Sequence, residues 1–145
     1  MERRDEVMVE QEIELDASLE DVWRSLTDPT DLAAWLGDEV DLTVAPGGTG
    51  RVVDDGVVRR VQVDEVDAGR SLAFRWWDQD EGEAGASRVV ITLLPGAGDG
   101  PTRLHVREVA LHRTATSAGA VWAGSLRWEV RLACLTLLLS AYALV

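Results

Sequence analysis

Residues 18–37 have the sequence SLEDVWRSLTDPTDLAAWLG, and this stretch decides the fold. Ser18 is followed three residues later by Asp21, which is the spacing of a capping box, and apolar residues then recur at helical spacing. Asp28 and Pro29 restart the pattern, because aspartate is a good N-cap and proline is preset for a first helical turn. The segment therefore predicts two short helices in direct succession.

Strand patterns surround this pair of helices. Before it, apolar and charged residues alternate from Val7 to Leu15, which predicts a strand with one dry and one wet face. After it, turn residues separate further extended segments, and the Asp55-Gly56 pair predicts a two-residue hairpin turn because glycine tolerates positive φ. The predicted strands cover residues 7–15, 39–44, 50–54, 57–66, 71–77, 88–94 and 102–111. We therefore expect six or seven antiparallel strands.

A long helix is predicted after the last strand, beginning between Ala115 and Val121 and continuing past Leu138. The stripe predicted to face the sheet consists of Trp122, Leu126, Val130, Ala133, Leu137 and Ala141. The apolar residues predicted on the opposite face are Leu132, Leu135, Leu139 and Tyr142. A large apolar face is rarely left exposed to solvent and is usually buried against another surface. We expect either a homodimer through these four residues or coverage by the two short helices and the first strand of the same chain.

The composition is that of a globular protein with a strong negative charge. The chain has 145 residues, of which 46% are hydrophobic, and its net charge is −12; we expect a single domain over residues 1–145. This charge disfavours nucleic acid, acidic membranes and acidic substrates as partners. The uncharged stretch 132–145 would span about 21 Å as a helix, short of the roughly 30 Å membrane core, so no membrane span is expected. The charged start lacks the apolar core of a secretory signal, so the expected location is cytoplasmic.

Few residues are candidates for chemistry. His105 and His112 lack further converging donors, so no metal site is predicted, and no cofactor motif occurs. The single cysteine, Cys134, lies in an apolar run and is expected to pack as a small hydrophobe. Strand parity groups Glu108 with apolar residues, where its carboxyl could anchor a ligand or act as a general acid or base. The alternative is that a bulge or strand end turns it to solvent or to an arginine. Glu65, beside a turn, is a weaker candidate of the same kind.

Aromatic residues are the other candidates. The chain has six tryptophans, and all of them lie on predicted helices or strands. An indole buries a large apolar area but needs a partner for its N–H group, so several indoles around one pocket suit an aromatic or amphipathic ligand. We interpret Trp35, Phe74 and Trp76 either as pocket lining or as plain core residues.

The order of the predicted elements resembles the α+β helix-grip fold of the START-like superfamily, also called SRPBCC or birch-pollen-allergen-like. That order is one strand, two short helices, an antiparallel run of strands and a long C-terminal helix. More specifically, residues 18–29 and 32–36, together with VDEVDAGRSLAFRW at 63–76, resemble the heat-shock protein 90 ATPase activator-like family of small bacterial proteins. The resemblance extends over residues 5–135.

This resemblance implies a curved antiparallel sheet wrapped around the C-terminal helix, with a cavity between them for a small hydrophobic or aromatic molecule. The residues expected to line that cavity are Trp35, Phe74, Trp76, Glu108, Trp122, Leu126 and Val130. Two other functions stay open, because a fold does not determine a function. One is an enzyme of the cyclase, dehydratase or hydrolase kind that uses Glu108, and the other is a module that interacts with a chaperone.

Overall fold

The computed structural model describes residues 6–96, 101–111 and 118–143, and it describes side chains at 7–96, 101–111 and 127–143. The strands are β1 (Glu6–Leu15), β2 (Glu39–Leu42), β3 (Thr49–Asp54), β4 (Val57–Asp67), β5 (Ser71–Asp78), β6 (Ser87–Leu94) and β7 (Thr102–Ala110). The helices are α1 (Leu19–Thr27), α2 (Pro29–Trp35) and α3 (Ala118–Ala143), and a 3₁₀ turn lies at Glu83–Gly85. Among the described residues, no helix combines the length and the apolarity needed to cross a membrane.

The seven strands form one curved antiparallel sheet in the order β1-β7-β6-β5-β4-β3-β2. The two helices α1 and α2 connect its edge strands, β1 and β2. Helix α3 packs against β1, α1 and α2. Every predicted strand is present and α3 begins within the predicted interval, so the α+β helix-grip architecture is confirmed.

The two helix N-caps and the hairpin turn form at the residues that the local sequence predicts. Ser18 Oγ accepts a hydrogen bond from the Asp21 N–H at 3.1 Å, and Asp28 caps α2 by accepting from its first backbone N–H groups. Asp55 and Gly56 both have positive φ, 51° and 78°, as a type I′ hairpin turn requires. These features determine where α2 and the β3–β4 turn lie, and both elements form walls of the site described below.

The faces of α3 are the reverse of those predicted. Within residues 127–143, where side chains are described, its buried positions are Trp128, Arg131, Leu132, Leu135 and Leu139. In the stripe predicted to face the sheet, Val130 is 57% and Leu137 is 71% exposed, and both described alanines of that stripe are exposed as well. The helix is apolar on nearly all sides, so spacing alone does not choose a face. Over residues 127–143, burying a tryptophan and three leucines removes more apolar surface from water than burying the four described residues of the predicted stripe, two of which are alanines.

This register makes the predicted homodimer contact wrong. Leu132, Leu135 and Leu139 pack into the core of their own chain, so they are not available to a second copy. Tyr142, the fourth predicted contact, donates a hydrogen bond from its hydroxyl to the buried Asp31 carboxylate of α2. The alternative, coverage by the short helices and the first strand of the same chain, is the arrangement that the structure shows.

Candidate ligand-binding site

A buried carboxylate, Glu108 of β7, is the centre of a polar network on the inner face of the sheet. The residue is only 8% exposed. Its Oε1 accepts a hydrogen bond from the indole N–H of Trp128 at 2.8 Å. Its Oε2 accepts from the indole N–H of Trp76 at 2.8 Å and from the hydroxyl of Ser87. Because an indole nitrogen can only donate, both carboxyl oxygens act as acceptors, and the network links β5, β6, β7 and α3.

The orientation of Glu108 follows from the positions of the β-bulges. The irregularity between β1 and β7 adds its extra residue, Met8, to β1, so β7 keeps its alternation and Glu108 points inward. In β4 the extra residue is Asp64, which shifts the alternation and turns Glu65 outward to lie 3.8 Å from Arg88. The alternative in which Glu108 turns to solvent or to an arginine is therefore wrong, and Glu65 is a surface residue.

A cleft of about 430 Å³ lies between α2, the β3–β4 turn and α3. Its walls consist of residues 33–38, Asp54, Asp55, Arg127, Val130, Arg131 and Cys134. Trp35 is held in this wall by a hydrogen bond from its indole N–H to the backbone oxygen of Ser25 at 2.8 Å. Small-molecule sites usually enclose about 300–1,000 Å³. The cleft is therefore large enough for a small aromatic molecule.

Arg131 connects the cleft with the carboxylate network. Its guanidinium carbon lies 4.9 Å from the ring centroid of Trp128 and 5.0 Å from that of Trp76, and these are the two indoles that bind Glu108. On its other side the guanidinium donates to the Asp54 carboxylate at 2.8 Å. A buried arginine that rests on two aromatic rings and bonds a carboxylate is held in one orientation. Arg131 is thus a fixed polar wall of the cleft.

Two arginines share one carboxylate at this end of the cleft. Asp54 accepts a hydrogen bond from Arg127 at 3.1 Å in addition to the one from Arg131. Burial is the main cause that lowers the pKa of Arg131, the positive charge of Arg59 lowers it further, and Asp54 opposes both effects. Since an arginine stays protonated in proteins, this end of the cleft presents a buried cation.

The structure divides the predicted site residues between these two places. Phe74, Trp76 and Glu108 lie together at the network, where the first two rings make an edge-to-face contact with centroids 5.3 Å apart. Trp35 and Val130 lie at the cleft instead. The side chains that fall outside the described residues are those of Trp122 and Leu126.

Sequence reasoning missed Arg131, Trp128 and Ser87 as parts of the site. A signal for the first two was present, because Trp128, Arg131 and Leu135 recur at spacings of three and four in α3. The competing stripe that begins at Trp122 has the same spacing. Ser87 carried no signal, since a serine at the start of a strand has no characteristic partner.

The described residues hold no group of three or more His, Cys, Asp or Glu side chains that could bind a metal ion. His105 lies on the outer face of β7, with its Nε2 3.3 Å from the Glu10 carboxylate. His112 lies outside the described residues. The half-buried surface position of His105 agrees with its strand parity.

Comparison with protein families gives a match over most of the chain. The model described as Activator of Hsp90 ATPase homolog 1-like protein matches residues 16–138. The chain belongs to this family. The stretch at residues 18–37 that decides the fold lies inside the match. Among curated proteins, no significant match was found.

Several solved structures have the same fold as this chain. DynU16, a protein in the dynemicin biosynthetic locus, is 28% identical to this chain with a TM-score of 0.75. The match covers 92% of this chain and 46% of DynU16. This chain therefore spans less than half the length of that relative. A protein from Mesorhizobium loti is 25% identical with a TM-score of 0.80, over 92% of this chain and 96% of that one. The Aha1 dimer from Colwellia psychrerythraea is 17% identical with a TM-score of 0.72, and the match covers 90% of this chain and 94% of that one. At this identity the likeness shows the fold alone.

Proposed function

We propose that this member of the Hsp90 ATPase activator-like family binds a small apolar or aromatic molecule in the cleft between α2, the β3–β4 turn and α3. The observation that carries the proposal is the cleft itself, with a volume of about 430 Å³ and a polar end formed by Arg131 and Asp54. Ligand sites typically combine apolar walls with a few fixed polar groups. The location of the relative DynU16 in a biosynthetic locus is in keeping with a small-molecule ligand.

The geometry of Glu108 favours ligand binding over acid–base catalysis. Its two oxygens already accept three hydrogen bonds, and Glu108 is not part of the cleft wall. A general base must lie within about 3.2 Å of the heavy atom that carries the proton it removes, or act through one water. A molecule in the cleft would meet the guanidinium of Arg131 instead. Interaction with a chaperone is supported by the family description alone.

Fluorescence titration with phenylnaphthylamine, a neutral aromatic probe, tests the proposal. We expect saturable binding to the unchanged protein. Ala34 is an exposed residue of the cleft wall, so the indole of Ala34→Trp should occupy the cleft and weaken binding by about tenfold or more, which corresponds to about 1.4 kcal/mol. Ala68→Trp, at an exposed turn position outside the cleft, is the matched control and should leave the affinity unchanged.

The single cysteine reports where the probe binds. Cys134 lines the cleft, so bound phenylnaphthylamine should slow the reaction of its thiol with an aromatic disulfide reagent. The proposal fails if binding does not saturate. It also fails if Ala34→Trp leaves the affinity unchanged and the thiol reacts at the same rate with and without the probe.

A further inference from the structure

A groove of about 260 Å³ lies on the outer face of the sheet, over β3, β4 and β5. The residues that line it are Thr49, Gly50, Arg60, Val61, Gln62 and Trp77. Arg60 and Gln62 flank the buried Val61 in β4, so their side chains leave the sheet on the side away from the core. None of the lining residues belongs to the cleft beside α3. This outer groove is therefore a separate feature of the surface.

The arginines on the outer face of the sheet fall into two groups. The first group forms ion pairs with N–O distances between 3.1 and 3.9 Å and consists of Arg75, Arg88, Arg103 and Arg107. The second group, Arg51 and Arg60, forms no ion pair with any residue that the structure describes. These two lie opposite each other on β3 and β4, and like charges at such positions destabilise an antiparallel pair. Departures of this kind from local rules are expected at functional sites.

No acidic residue borders Arg60 on the sheet. Its directly opposite neighbours are Arg51 on β3 and Trp77 on β5. The diagonal neighbours that follow from this register are Thr49, Val53, Arg75 and Gln79. Asp41 lies beyond Arg51 on β2 and forms an ion pair with neither arginine. The net charge of −12 opposes any anion, but exposed charges more than about 10 Å apart are largely screened at 0.1 M ionic strength. The two arginines therefore dominate the potential at the outer groove.

Trp77 adds a planar surface and an unused hydrogen-bond donor. The buried tryptophans, whose indole N–H groups all donate to an acceptor in the chain, are Trp35, Trp76 and Trp128. The N–H of the half-buried Trp77 donates to no described residue, and the side chains of Thr49 and Gln62 likewise make no hydrogen bond within the described ranges. These polar groups reach solvent at the groove, so they can exchange water for a ligand. Ligand sites typically combine an apolar surface with a few such groups.

We infer that the outer groove is a binding site for a small aromatic molecule that carries an oxyanion group, either a carboxylate or a phosphate. The oxyanion accepts hydrogen bonds from the guanidinium of Arg60, whose N–H donors match its oxygens, and Arg51 adds a second positive charge. The aromatic ring packs on the indole of Trp77. Since the groove is slightly smaller than the usual 300–1,000 Å³ of ligand sites, the ligand has a single ring. The inference does not depend on the proposed function, because the two sites share no residue.

NMR titration of isotope-labelled protein with phenyl phosphate tests the inference. We expect saturable shifts of the Trp77 indole N–H and the Gln62 side-chain amide, with a Kd in the millimolar range. Arg60→Gln should raise that Kd about fivefold or more, because it removes a charge-assisted hydrogen bond at a partly exposed site. Arg103→Gln is the matched control, since it removes the same charge from the same face of the sheet at a residue outside the groove. Its Kd should change by less than about twofold.

The neutral analogue benzyl alcohol and inorganic phosphate complete the test. Each should bind the outer groove at least about tenfold more weakly than phenyl phosphate, because each lacks one of the two parts. The inference is overturned if the two signals do not saturate, if Arg60→Gln and Arg103→Gln change the Kd equally, or if inorganic phosphate binds as tightly. Shifts confined to the Cys134 amide would place the probe in the cleft, which overturns the outer site and leaves the proposed function standing. Should Arg60→Gln fail to melt cooperatively, Arg51→Gln takes its place, with an expected rise in Kd of about two- to fivefold.

Discussion

The Glu108→Leu substitution removes the acceptor that Trp76, Trp128 and Ser87 share. Three buried donors then lack a partner, and each costs about 1–3 kcal/mol. We therefore expect the free energy of unfolding to fall by about 3 kcal/mol or more. Glu108→Gln keeps one acceptor oxygen but directs an NH₂ donor at one side of the network, so its loss should be about 1–3 kcal/mol. Because domains are stable by only about 5–15 kcal/mol, the leucine variant should be marginally folded.

Urea unfolding, followed by far-UV circular dichroism and by tryptophan fluorescence, measures these losses. The midpoint should fall while the slope with urea stays constant, as expected for a change in stability alone. Glu129→Gln is the matched control, because Glu129 is an exposed carboxylate on α3 beside Trp128, and it should change stability by less than about 0.5 kcal/mol. A Glu108→Leu protein within about 0.5 kcal/mol of the unchanged one would show that the network does not hold the two indoles as argued.

Two further predictions test the packing of α3. Leu135→Ala should lower the free energy of unfolding by about 2–5 kcal/mol because Leu135 is fully buried. Leu137→Ala should lower it by less than about 0.5 kcal/mol because Leu137 is exposed. Equal decreases in urea titrations of the two variants would mean that α3 has another register. The hydrogen bond to Asp31 is the main cause that raises the pKa of Tyr142. Its neutral hydroxyl therefore stabilises the fold below the ordinary tyrosine pKa of about 10, and that stabilisation is lost as the pH rises through the raised value. Tyr142→Phe should make the fall in stability above about pH 9 shallower, and an identical fall would contradict the contact.

Most of the fold could be predicted because its signals act over a few residues. The Ser18 cap joins groups three positions apart, the Asp28-Pro29 pair starts α2, and the Asp55-Gly56 turn depends only on two φ angles. Alternation within each strand then assigns inner and outer faces. The order of these elements was sufficient to predict the helix-grip fold, and the segments at residues 18–36 and 63–76 indicated the family.

The candidate site was predictable only where strand parity was undisturbed. Glu108 was placed correctly among the inward residues of β7 because the bulge lies in β1. The same reasoning misplaced Glu65, since the extra residue Asp64 lies within its own strand. A bulge depends on the pairing of two strands, so neither sequence segment alone shows which strand carries it.

The sequence by itself determined the elements, their order and the long apolar helix, whereas the tertiary structure decided how that helix is rotated. Two apolar stripes in α3 have the same helical spacing, and the choice between them depends on the space left by β1, α1 and α2. The rotation that buries Leu132, Leu135 and Leu139 also places Arg131 between the cleft and the indoles. Its carboxylate partner, Asp54, lies 77 residues earlier in the chain. No local pattern records such a contact, because it forms only when distant segments pack together.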